Sequence, residues 1–421
     1  MTVSTVDIEA DILVAGAGAA GLSAALALVQ SGFSVVCVGH VDRRVNGRTV
    51  ALFESSLRFY KALGLWPRFR GKSAALEKIA MVDATGARFA APSVTFAASE
   101  IGLSAFGENI ENSALVEGLA EIAAATPRLA LYEGLLGEIS FMPDAAEAVL
   151  ADGRRVKAKL VVAADGRGSP ARTKAGISAR SWTYPQVALT ALLSHARPHR
   201  HVSTEFHTRF GPCTLVPLRA QGDKPHRSSL VWLMTAEAAD RRRGLEPTAL
   251  ASDIENQVDS LLGKMQLDGP CGFFPMAGMS VGRLFGHRIA LIGEAAHVFP
   301  PLAAQGLNLS LRDSAALVET LEDARSLGKD IGTAATLKGY AAARRNDISL
   351  RTHGVDILNR SLLTDLIPVD LMRGAGLFAF SMIGPLRRVL MREGVLTHGT
   401  LPRLMQERTS RGISRSMAER P

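Results

Sequence analysis

The chain has 421 residues, of which 47% are hydrophobic and 21% are charged. This balance is ordinary for a globular protein with a sizeable core, and it excludes collagen-like, coiled-coil and largely disordered chains. At roughly 100–200 residues per domain, the length predicts two or three domains. The formal net charge of +8 favours an anionic partner, although arginine-rich proteomes produce the same excess without one.

The cysteines and the first residues indicate the compartment. Cys37, Cys213 and Cys271 lie far apart and form no CxxC motif, which is typical of a reducing compartment. The opening segment, MTVSTVDIEAD, lacks the basic stretch of a secretory signal. We therefore expect a cytoplasmic protein.

A run without charged side chains extends from Ile12 to Val41 when His40 is neutral, and it is long enough to span a bilayer. Its glycines instead divide it into a strand at Asp11–Ala15, a helix at Gly21–Ser31 and a second strand at Ser34–Val38. A strand, a glycine turn, a helix and a strand in this order form a βαβ unit, whose two strands are parallel. This unit explains the run better than a transmembrane helix does.

The middle of the chain predicts an inserted, mostly antiparallel sheet. Asp152-Gly153 is a strong hairpin signal between two strands, and Ile79–Arg88 has the pattern of two strands around a turn. Arg288–Ile292 then resumes the buried-strand pattern, and a long helix follows from Leu307. Further strands are predicted at Val187–Leu193, Val202–Phe206, Thr214–Leu218 and Leu230–Met234.

The predicted fold class is therefore α/β. We expect a Rossmann-like dinucleotide-binding domain, an inserted antiparallel substrate domain and a helical C-terminal region. The predicted boundaries are residues 1–75, 100–180 and 285–345 for the first, 76–99 and 181–284 for the second, and 346–421 for the third.

The first chemical motif is a GxGxxG loop between the first strand and the first helix, residues 16–21. Gly16 permits the tight turn, Gly18 lets the backbone approach a pyrophosphate, and Gly21 lets the helix pack on the strand. The free N–H groups of the helix N-terminus favour a phosphate. An acidic residue that holds a ribose is expected at the end of the second strand, but Gly39 stands there, with Asp42 nearby.

Two later segments also place polar residues at the ends of predicted strands. Asp165-Gly166 follows one buried strand and Gly293-Glu294 follows another, where ligands lie in open α/β sheets. After Pro300-Pro301 stops any helix, Gln305 opens the next one, and its N-terminus favours negative charge on a bound ring.

In this order and spacing, the three motifs resemble those of the flavoprotein aromatic hydroxylases of the para-hydroxybenzoate hydroxylase superfamily. The form G-[D/E]-A-A-H-x-x-x-P-x-x-x-Q-G-x-N at residues 293–308 is similar to the ubiquinone-biosynthesis branch, the UbiH/Coq6-type hydroxylases. Arg48-Thr49-x-Ala51-Leu52, Leu63-Gly64-Leu65-Trp66 and GPLRRVLMREG at residues 384–394 extend the resemblance over nearly the whole chain. This chain departs from the pattern at Gly39, Glu294 and Ala304.

The resemblance implies a bound FAD. The glycine loop would hold its pyrophosphate, the Asp165 segment would serve FAD and a pyridine nucleotide, the Glu294 segment would contact the ribityl chain, and the helix at Gly306 would face the pyrimidine edge. Pro301, Gln305 and Gly306 would line the reaction face, and no catalytic acid or base is assigned. The implied cofactor-binding residues are Gly16, Gly18, Ala19, Ala20, Gly21, Arg48, Asp165, Gly166, Gly293, Glu294, Gly306, Leu307 and Asn308.

The implied activity is hydroxylation of a phenolic ring, with NAD(P)H as a transient reductant and O2 as the oxygen source. A polyprenylated phenol of ubiquinone biosynthesis is the implied substrate. Three alternatives remain open: a hydroxylase of a soluble phenol, a flavin dehydrogenase, reductase or halogenase on the same scaffold, and a non-catalytic subunit of a quinone-synthesis complex.

Metal and nucleic-acid binding are not expected. Glu294 and His297 form a single ExxH, whereas di-iron helices need two with further carboxylates. Histidines 195, 199, 201 and 207 alternate with arginines, which favours a solvated basic hairpin over a metal site. The arginines at 241–243 have no recognised nucleic-acid module around them.

The uncharged segment Gly374–Leu386 is too short to span a bilayer as a helix, but it suits peripheral contact with a membrane. The flanking basic residues are Arg373, Arg387, Arg388 and Arg392. Each basic residue near an anionic surface adds about 1 kcal/mol to the free energy of membrane binding. We expect this contact at the inner face of the cytoplasmic membrane, where a prenylated substrate resides.

The protein should therefore bind anionic vesicles in a salt-sensitive manner. Changing Phe378 and Phe380 to Ser should weaken co-sedimentation with the vesicles while FAD content is retained, because only the apolar contact is lost. Loss of FAD or of the fold in this double variant would instead assign the segment to the protein core.

Overall fold

The computed structural model describes residues 8–85, 93–208, 211–300, 304–362, 384–395 and 401–407. In these ranges the strands form three sheets, and the helices pack around them. The helices are α1 (Ala19–Gln30), α2 (Glu54–Ala62), α3 (Pro67–Arg70), α4 (Asn112–Ala125), α5 (Pro170–Lys174), α6 (Ala236–Arg243), α7 (Pro247–Gln257), α8 (Gln305–Ser326), α9 (Ala334–Leu362) and α10 (Gly384–Val395).

The first sheet carries the predicted βαβ unit. Its described strands are β1 (Ile8–Ala15), β2 (Val35–Gly39), β8 (Leu129–Glu133), β9 (Leu136–Phe141), β10 (Ala146–Leu150), β11 (Arg155–Ala163), β18 (Phe285–Gly286) and β19 (Ile289–Leu291). They run in the order β18-β19-β11-β1-β2-β8, and β9 and β10 extend from β11. The central strands β19, β11, β1, β2 and β8 are parallel. The predicted hairpin at Asp152-Gly153 is confirmed between β10 and β11.

The second sheet is antiparallel except where β13 pairs with β5. Its described strands are β5 (Lys78–Asp83), β6 (Val94–Ala97), β12 (Ala179–His195), β13 (Val202–Thr208), β14 (Gly211–Leu218), β15 (Arg227–Thr235), β16 (Met265–Leu267), β17 (Gly272–Val281) and β20 (His297–Val298). A third sheet has the order β3-β7-β4, from β3 (Thr49–Phe53), β4 (Ser73–Ala75) and β7 (Gly107–Glu111). The predicted fold class, a Rossmann-like α/β domain with an inserted antiparallel sheet, is confirmed.

The predicted pair of strands at Ile79–Arg88 is tested only in its first half, because residues 86–92 lie outside the described residues. Through Thr85 the segment holds the strand β5, whose antiparallel partner is β6 at Val94–Ala97. At the end of β5, Asp83 Oδ1 accepts hydrogen bonds from the Thr85 backbone N–H (3.0 Å) and hydroxyl (2.6 Å). These bonds form a local turn there.

The two faces of the second sheet have different neighbours because side chains alternate along each strand. On β12, Val187 and Leu189 pack with residues of α6 and α7 in one apolar cluster. Ala188 belongs to a second cluster, together with Leu233 and Met276. The hydroxyl of Thr190 on β12 also donates to the carbonyl of Asn46 (3.0 Å), so this face meets the loop that precedes β3.

The segment after β19 joins the first two sheets. A short 3-10 helix at Gly293–Ala295 follows β19, and the chain then enters β20, which pairs with β17 of the second sheet. The segment predicted to contact the cofactor therefore lies where the sheets meet.

No helix in the described ranges has both the length and the apolar stretch needed to cross a bilayer. The uncharged run Ile12–Val41 is mostly buried as β1, α1 and β2. Residues 374–383 of the predicted membrane segment lie outside the described residues. In α10, Arg387 bonds to Glu100 (2.6 Å), while Arg388 and Arg392 are exposed.

Candidate active site

The glycine loop closes tightly against the strand ends around it. Gly16 has φ +114°, and a Cβ there would overlap the carbonyl oxygen of Ala164 at the end of β11. A Cβ on Gly21 would overlap the carbonyl of Gly16. Glycine is therefore required at both positions by the packing of the protein itself.

Gly18 is different, because a Cβ there would meet no atom within 4 Å. The residue is exposed and forms the N-cap of α1, without a side-chain cap and without an acid in the first turn of that helix. The first N–H groups of α1 thus lack intrahelical partners and carry partial positive charge. Open space beside such a helix end is what an incoming pyrophosphate requires.

The residue at the end of β2 cannot be the acid whose carboxylate usually binds the ribose hydroxyls. A Cβ on Gly39 would overlap the backbone nitrogen of Ala17, so the glycine loop lies directly against this residue. Asp42 is already engaged, because Arg44 Nε donates to its Oδ1 (2.8 Å). That hydrogen bond lowers the pKa of Asp42 to about 2.

Asp165 organises its own turn. Its carboxylate accepts hydrogen bonds from the hydroxyl of Ser169 and from the backbone N–H of Ala171 (3.0 Å) at the start of α5. Burial raises the pKa of Asp165 despite these bonds. The side chain therefore shapes the loop at the end of β11, and Gly166 in that loop has φ +83° with open space around it.

Arg172 ties the second motif to the third, and the sequence analysis did not single it out. It is 7% exposed, and its guanidinium donates to the carbonyls of Ala295 (2.8 Å) and Arg167 (2.9 Å). In the sequence, the only signal for a role of Arg172 is its position shortly after Asp165, in a segment that also contains Arg167. Its partner, the carbonyl of Ala295, is distant in sequence and is identified only by the fold.

Gly293 is wedged between two helices. It has φ +58°, and a Cβ would lie 2.9 Å from Ser310 Oγ of α8 and 3.5 Å from the Cβ of Ala20 of α1. The first turn of α1 and the second turn of α8 therefore converge on this residue. Glu294 beside it is exposed.

Asp313 is a second residue that sequence reasoning missed. It is completely buried, and its Oδ2 accepts hydrogen bonds from the Gly293 N–H (3.0 Å) and from His297 Nε2 (2.6 Å). Arg344 Nε donates to Oδ1 (2.8 Å). Burial by itself raises the pKa of Asp313, but His297 and Arg344 outweigh burial and hold the pKa below its usual value. The carboxylate is thus ionised and fixes both ends of the Gly293–His297 segment.

At the start of α8, the position beside Gly306 is open, whereas the side chains of the next residues pack within the protein. Among the described residues, a Cβ on Gly306 would meet no atom within 4 Å, the first turn of α8 holds no acid, and no side chain caps its N-terminus. Asn308 is buried and bonds to the Phe53 N–H (2.9 Å) and to the Ala51 carbonyl (2.7 Å), so its side chain is structural. Leu307 is partly buried against the core. Pro301 lies outside the described residues.

Arg48 lies at the surface, across from the second sheet. Its Nε donates to Asn46 Oδ1 (3.1 Å), and its guanidinium stacks over the ring of Phe274 at 5.3 Å. These contacts place Arg48 at the junction of the loop before β3 with β17.

The histidine-rich segment from His195, at the end of β12, to His207 in β13 is not fully solvated, contrary to the sequence-based interpretation. His195 is 7% exposed, with Nδ1 2.8 Å from the Arg197 carbonyl and Nε2 3.0 Å from Ser228 Oγ. Burial lowers the pKa of His195 to about 4, so it is a neutral core residue at physiological pH. His207 is also buried.

The described residues fit FAD. Gly18 and Gly306 leave open space at two uncapped helix ends, and Gly293 brings these ends together. One helix end suits a pyrophosphate, and the other suits the electron-rich edge of a ring system.

Gly18→Val tests this fit, because a Cβ there meets no atom of the described residues within 4 Å, whereas the new side chain would collide with a pyrophosphate bound at the helix end. The variant should fold with the wild-type circular dichroism spectrum and lose most of its FAD. Gly282→Val is the matched control, since a Cβ there also meets no atom within 4 Å. Full flavin occupancy in Gly18→Val would show that the pyrophosphate lies elsewhere.

Gly39→Glu should lower both FAD content and melting temperature, even though it restores the acid of the dinucleotide-binding motif. The physical reason is the overlap of any Cβ at this position with the loop nitrogen of Ala17. Flavin fluorescence after denaturation and a thermal melt measure the two effects. Tighter FAD binding in this variant would contradict the loop geometry.

Comparison with known proteins identifies the family. Residues 9–347 match the family model described as FAD binding domain. Ubiquinone hydroxylase UbiL of Rhodospirillum rubrum is 33% identical over 416 residues, which cover 95% of this chain and 93% of that protein. The 3-demethoxyubiquinol 3-hydroxylase of Escherichia coli is 28% identical over 391 residues, which cover 91% of this chain and 97% of that protein.

Solved structures show the same fold. The p-nitrophenol 4-monooxygenase PnpA from Pseudomonas putida matches with a TM-score of 0.76 at 18% identity, covering 93% of this chain and 100% of that one. Klebsiella pneumoniae HpxO complexed with FAD and uric acid matches with a TM-score of 0.74 at 19% identity, covering 94% of this chain and 99% of that one. The chain belongs to the FAD binding domain family, and within it to the group that contains the ubiquinone hydroxylases.

Proposed function

We propose that this protein is an FAD-dependent monooxygenase that hydroxylates the aromatic ring of a polyprenylated phenol in ubiquinone biosynthesis. NAD(P)H is the proposed reductant and O2 the proposed source of the oxygen atom. The observation that carries the proposal is the convergence of α1 and α8 on Gly293, in a chain related to ubiquinone hydroxylases over 95% of its length.

The cofactor-binding residues are proposed in two groups. The backbone of the glycine loop, with Ala19 and Ala20 in the first turn of α1, would hold the pyrophosphate. Gly293, Glu294 and Gly306 would hold the ribityl chain and the ring. Glu294 suits a ribityl hydroxyl because its exposed carboxylate can accept hydrogen bonds.

FAD, when bound, supplies the redox and oxygen chemistry, while the protein contributes binding, orientation and exclusion of water. The side chains that would exclude water belong to the apolar cluster that contains Ala188, on the face of the second sheet opposite α6 and α7. Ala188, Leu233 and Met276 lie on the face of that sheet that adjoins the Gly293–His297 segment, and Phe299 packs against them. We propose that the phenolic ring of the substrate lies between this cluster and the start of α8.

Polar contacts hold one edge of the cluster. Trp182 Nε1 donates to the Tyr184 hydroxyl (2.7 Å), which in turn donates to Asp356 Oδ1 of α9 (2.6 Å). Phe299 stacks on the ring of His297, with centroids 5.3 Å apart. The apolar cluster is therefore connected, through Phe299 and His297, to the Asp313 carboxylate. This connection gives the proposed ring site a rigid support.

We propose that each of the two large sheets has its own function. The first sheet would bind FAD, the second would bind the substrate, and α9 and α10 would form the C-terminal region. Peripheral membrane contact at residues 374–388 remains a prediction from sequence, as does location at the inner face of the cytoplasmic membrane.

Labelled O2 tests the activity. The purified FAD-loaded protein is incubated with NAD(P)H, labelled O2 and a phenol that carries a short prenyl tail, and the product is analysed by mass spectrometry. One labelled oxygen in the ring is the expected result. Substrate oxidation without label would instead support a dehydrogenase, and absence of NAD(P)H turnover would support a non-catalytic subunit.

The substrate class is tested in the same assay by comparing the prenylated phenol with its tail-less analogue. A higher kcat/KM for the prenylated compound supports the proposal, because apolar surface adds binding energy. Equal values would favour a soluble phenol. Deleting the gene and identifying the accumulated intermediate shows which ring carbon is hydroxylated.

A further inference from the structure

A cluster of charged side chains lies buried between α8 and α9. We call it the α8–α9 charge cluster, and it consists of Arg312, Asp313, Arg344, Asp347 and Arg351. Arg312 is 4% exposed, Arg344 3% and Asp313 0%. The side chains of Asp347 and Arg351 are 20% and 12% exposed.

The cluster is held together by charged hydrogen bonds that run along both helices. Arg344 joins the two carboxylates, with Nε 2.8 Å from Asp313 Oδ1 and Nη1 2.8 Å from Asp347 Oδ2. Arg351 Nε donates to Asp347 Oδ1 (2.8 Å), and Arg312 Nη1 lies 3.5 Å from the same oxygen. Asp347 is thus surrounded by three guanidinium groups, which overcome burial and lower its pKa to about 2.

The positive charges in the cluster exceed the negative ones. Three guanidinium groups face two carboxylates, so these five side chains carry a net charge of +1. In the described part of the chain, Arg312 Nε and Arg344 Nη2 are buried without a hydrogen-bond partner. A buried positive excess is destabilising unless a negative charge compensates it.

Two of the positively charged side chains of the cluster reach the first residue of α8. Arg351 Nη1 donates to Gln305 Oε1 (2.6 Å), and Arg312 Nη2 lies 3.4 Å from that oxygen. Gln305 is the first residue of α8, where the helix dipole is also positive and where no acid lies in the first turn. The cluster and the helix end therefore contribute positive potential to the same place.

We propose that the α8–α9 charge cluster makes the protein bind reduced FAD more tightly than oxidised FAD, and that Arg351 is a positioning residue for Gln305. The inference rests on the proposed function, which puts the flavin ring at the start of α8. Hydride transfer from NAD(P)H adds two electrons and one proton to neutral flavin, leaving NAD(P)+ and a reduced ring with one negative charge. That charge is opposite to the net charge of +1 on the five side chains of the cluster.

The test uses two variants of opposite charge and needs no substrate. Arg351→Met removes a positive charge and should lower the midpoint potential of bound FAD. Asp347→Asn removes a negative charge and should raise it. A tenfold change in the ratio of the dissociation constants of oxidised and reduced FAD corresponds to about 30 mV for a two-electron couple, and shifts of about that size are expected.

Controls separate charge from structure. Arg351→Lys keeps the charge and should keep the potential near that of the wild type, although the hydrogen bond to Gln305 changes. Arg345→Met removes an exposed charge from the same helix and should leave the potential unchanged. A merely structural cluster would weaken both oxidation states alike in Arg351→Met and Asp347→Asn, and shifts of the same sign or of zero would overturn the inference.

The wild type provides a measurement that does not depend on the variants folding. Bound FAD should have a higher midpoint potential than free FAD in the same buffer, and an equal or lower value would overturn the inference. Failure of the wild type to bind FAD at all would instead refute the proposed function. The two failures are therefore distinguishable.

Discussion

The buried carboxylate of Asp313 holds together the parts of this protein on which its site depends. A single oxygen of that carboxylate accepts hydrogen bonds from Gly293 at one end of a short segment and from His297 at the other. The other oxygen pairs with Arg344 of α9. Removing one partner of a buried charge pair typically costs about 3–5 kcal/mol, so this small set of contacts strongly constrains the segment between the two sheets.

The glycines of the site differ in what requires them. Gly16, Gly21 and Gly39 have no room for a Cβ within the protein, so their role is to let strand ends and loops approach each other. Gly18 and Gly306 have room, which means that the protein alone does not exclude a side chain there. What distinguishes these two from other open glycines is that both lie at uncapped helix ends, which suit an approaching anion.

The second sheet serves two purposes because its faces pack against different partners. One face buries apolar side chains under α6 and α7 and stabilises the sheet. The opposite face adjoins the Gly293–His297 segment through Phe299 and contacts the loop at Asn46. If the Gly293–His297 segment contacts the flavin as proposed, an apolar face fixed to that segment can hold a ring close to the flavin and keep water away from it.

The sequence alone determined the local parts of this architecture. The βαβ unit, the hairpin at Asp152-Gly153 and the order of the three motifs follow from periodicity and turn chemistry, which act over a few residues. The cofactor class followed from the same motifs and their resemblance to the flavoprotein hydroxylases. Such patterns do not fix pairing between distant strands: β5 also pairs with β13, more than 100 residues further along the chain.

Only the tertiary structure decided which residues support the site. Asp313 and Arg344 are 31 residues apart, and Arg172 and Ala295 are 123 apart, so no local pattern joins them. Their partners depend on how α8, α9 and the sheets pack. The same packing decided that Gly39 leaves no space for the ribose acid and that His195 is buried. Burial and long-range hydrogen bonds arise when distant segments exclude water together, and that event is not encoded in any one stretch of sequence.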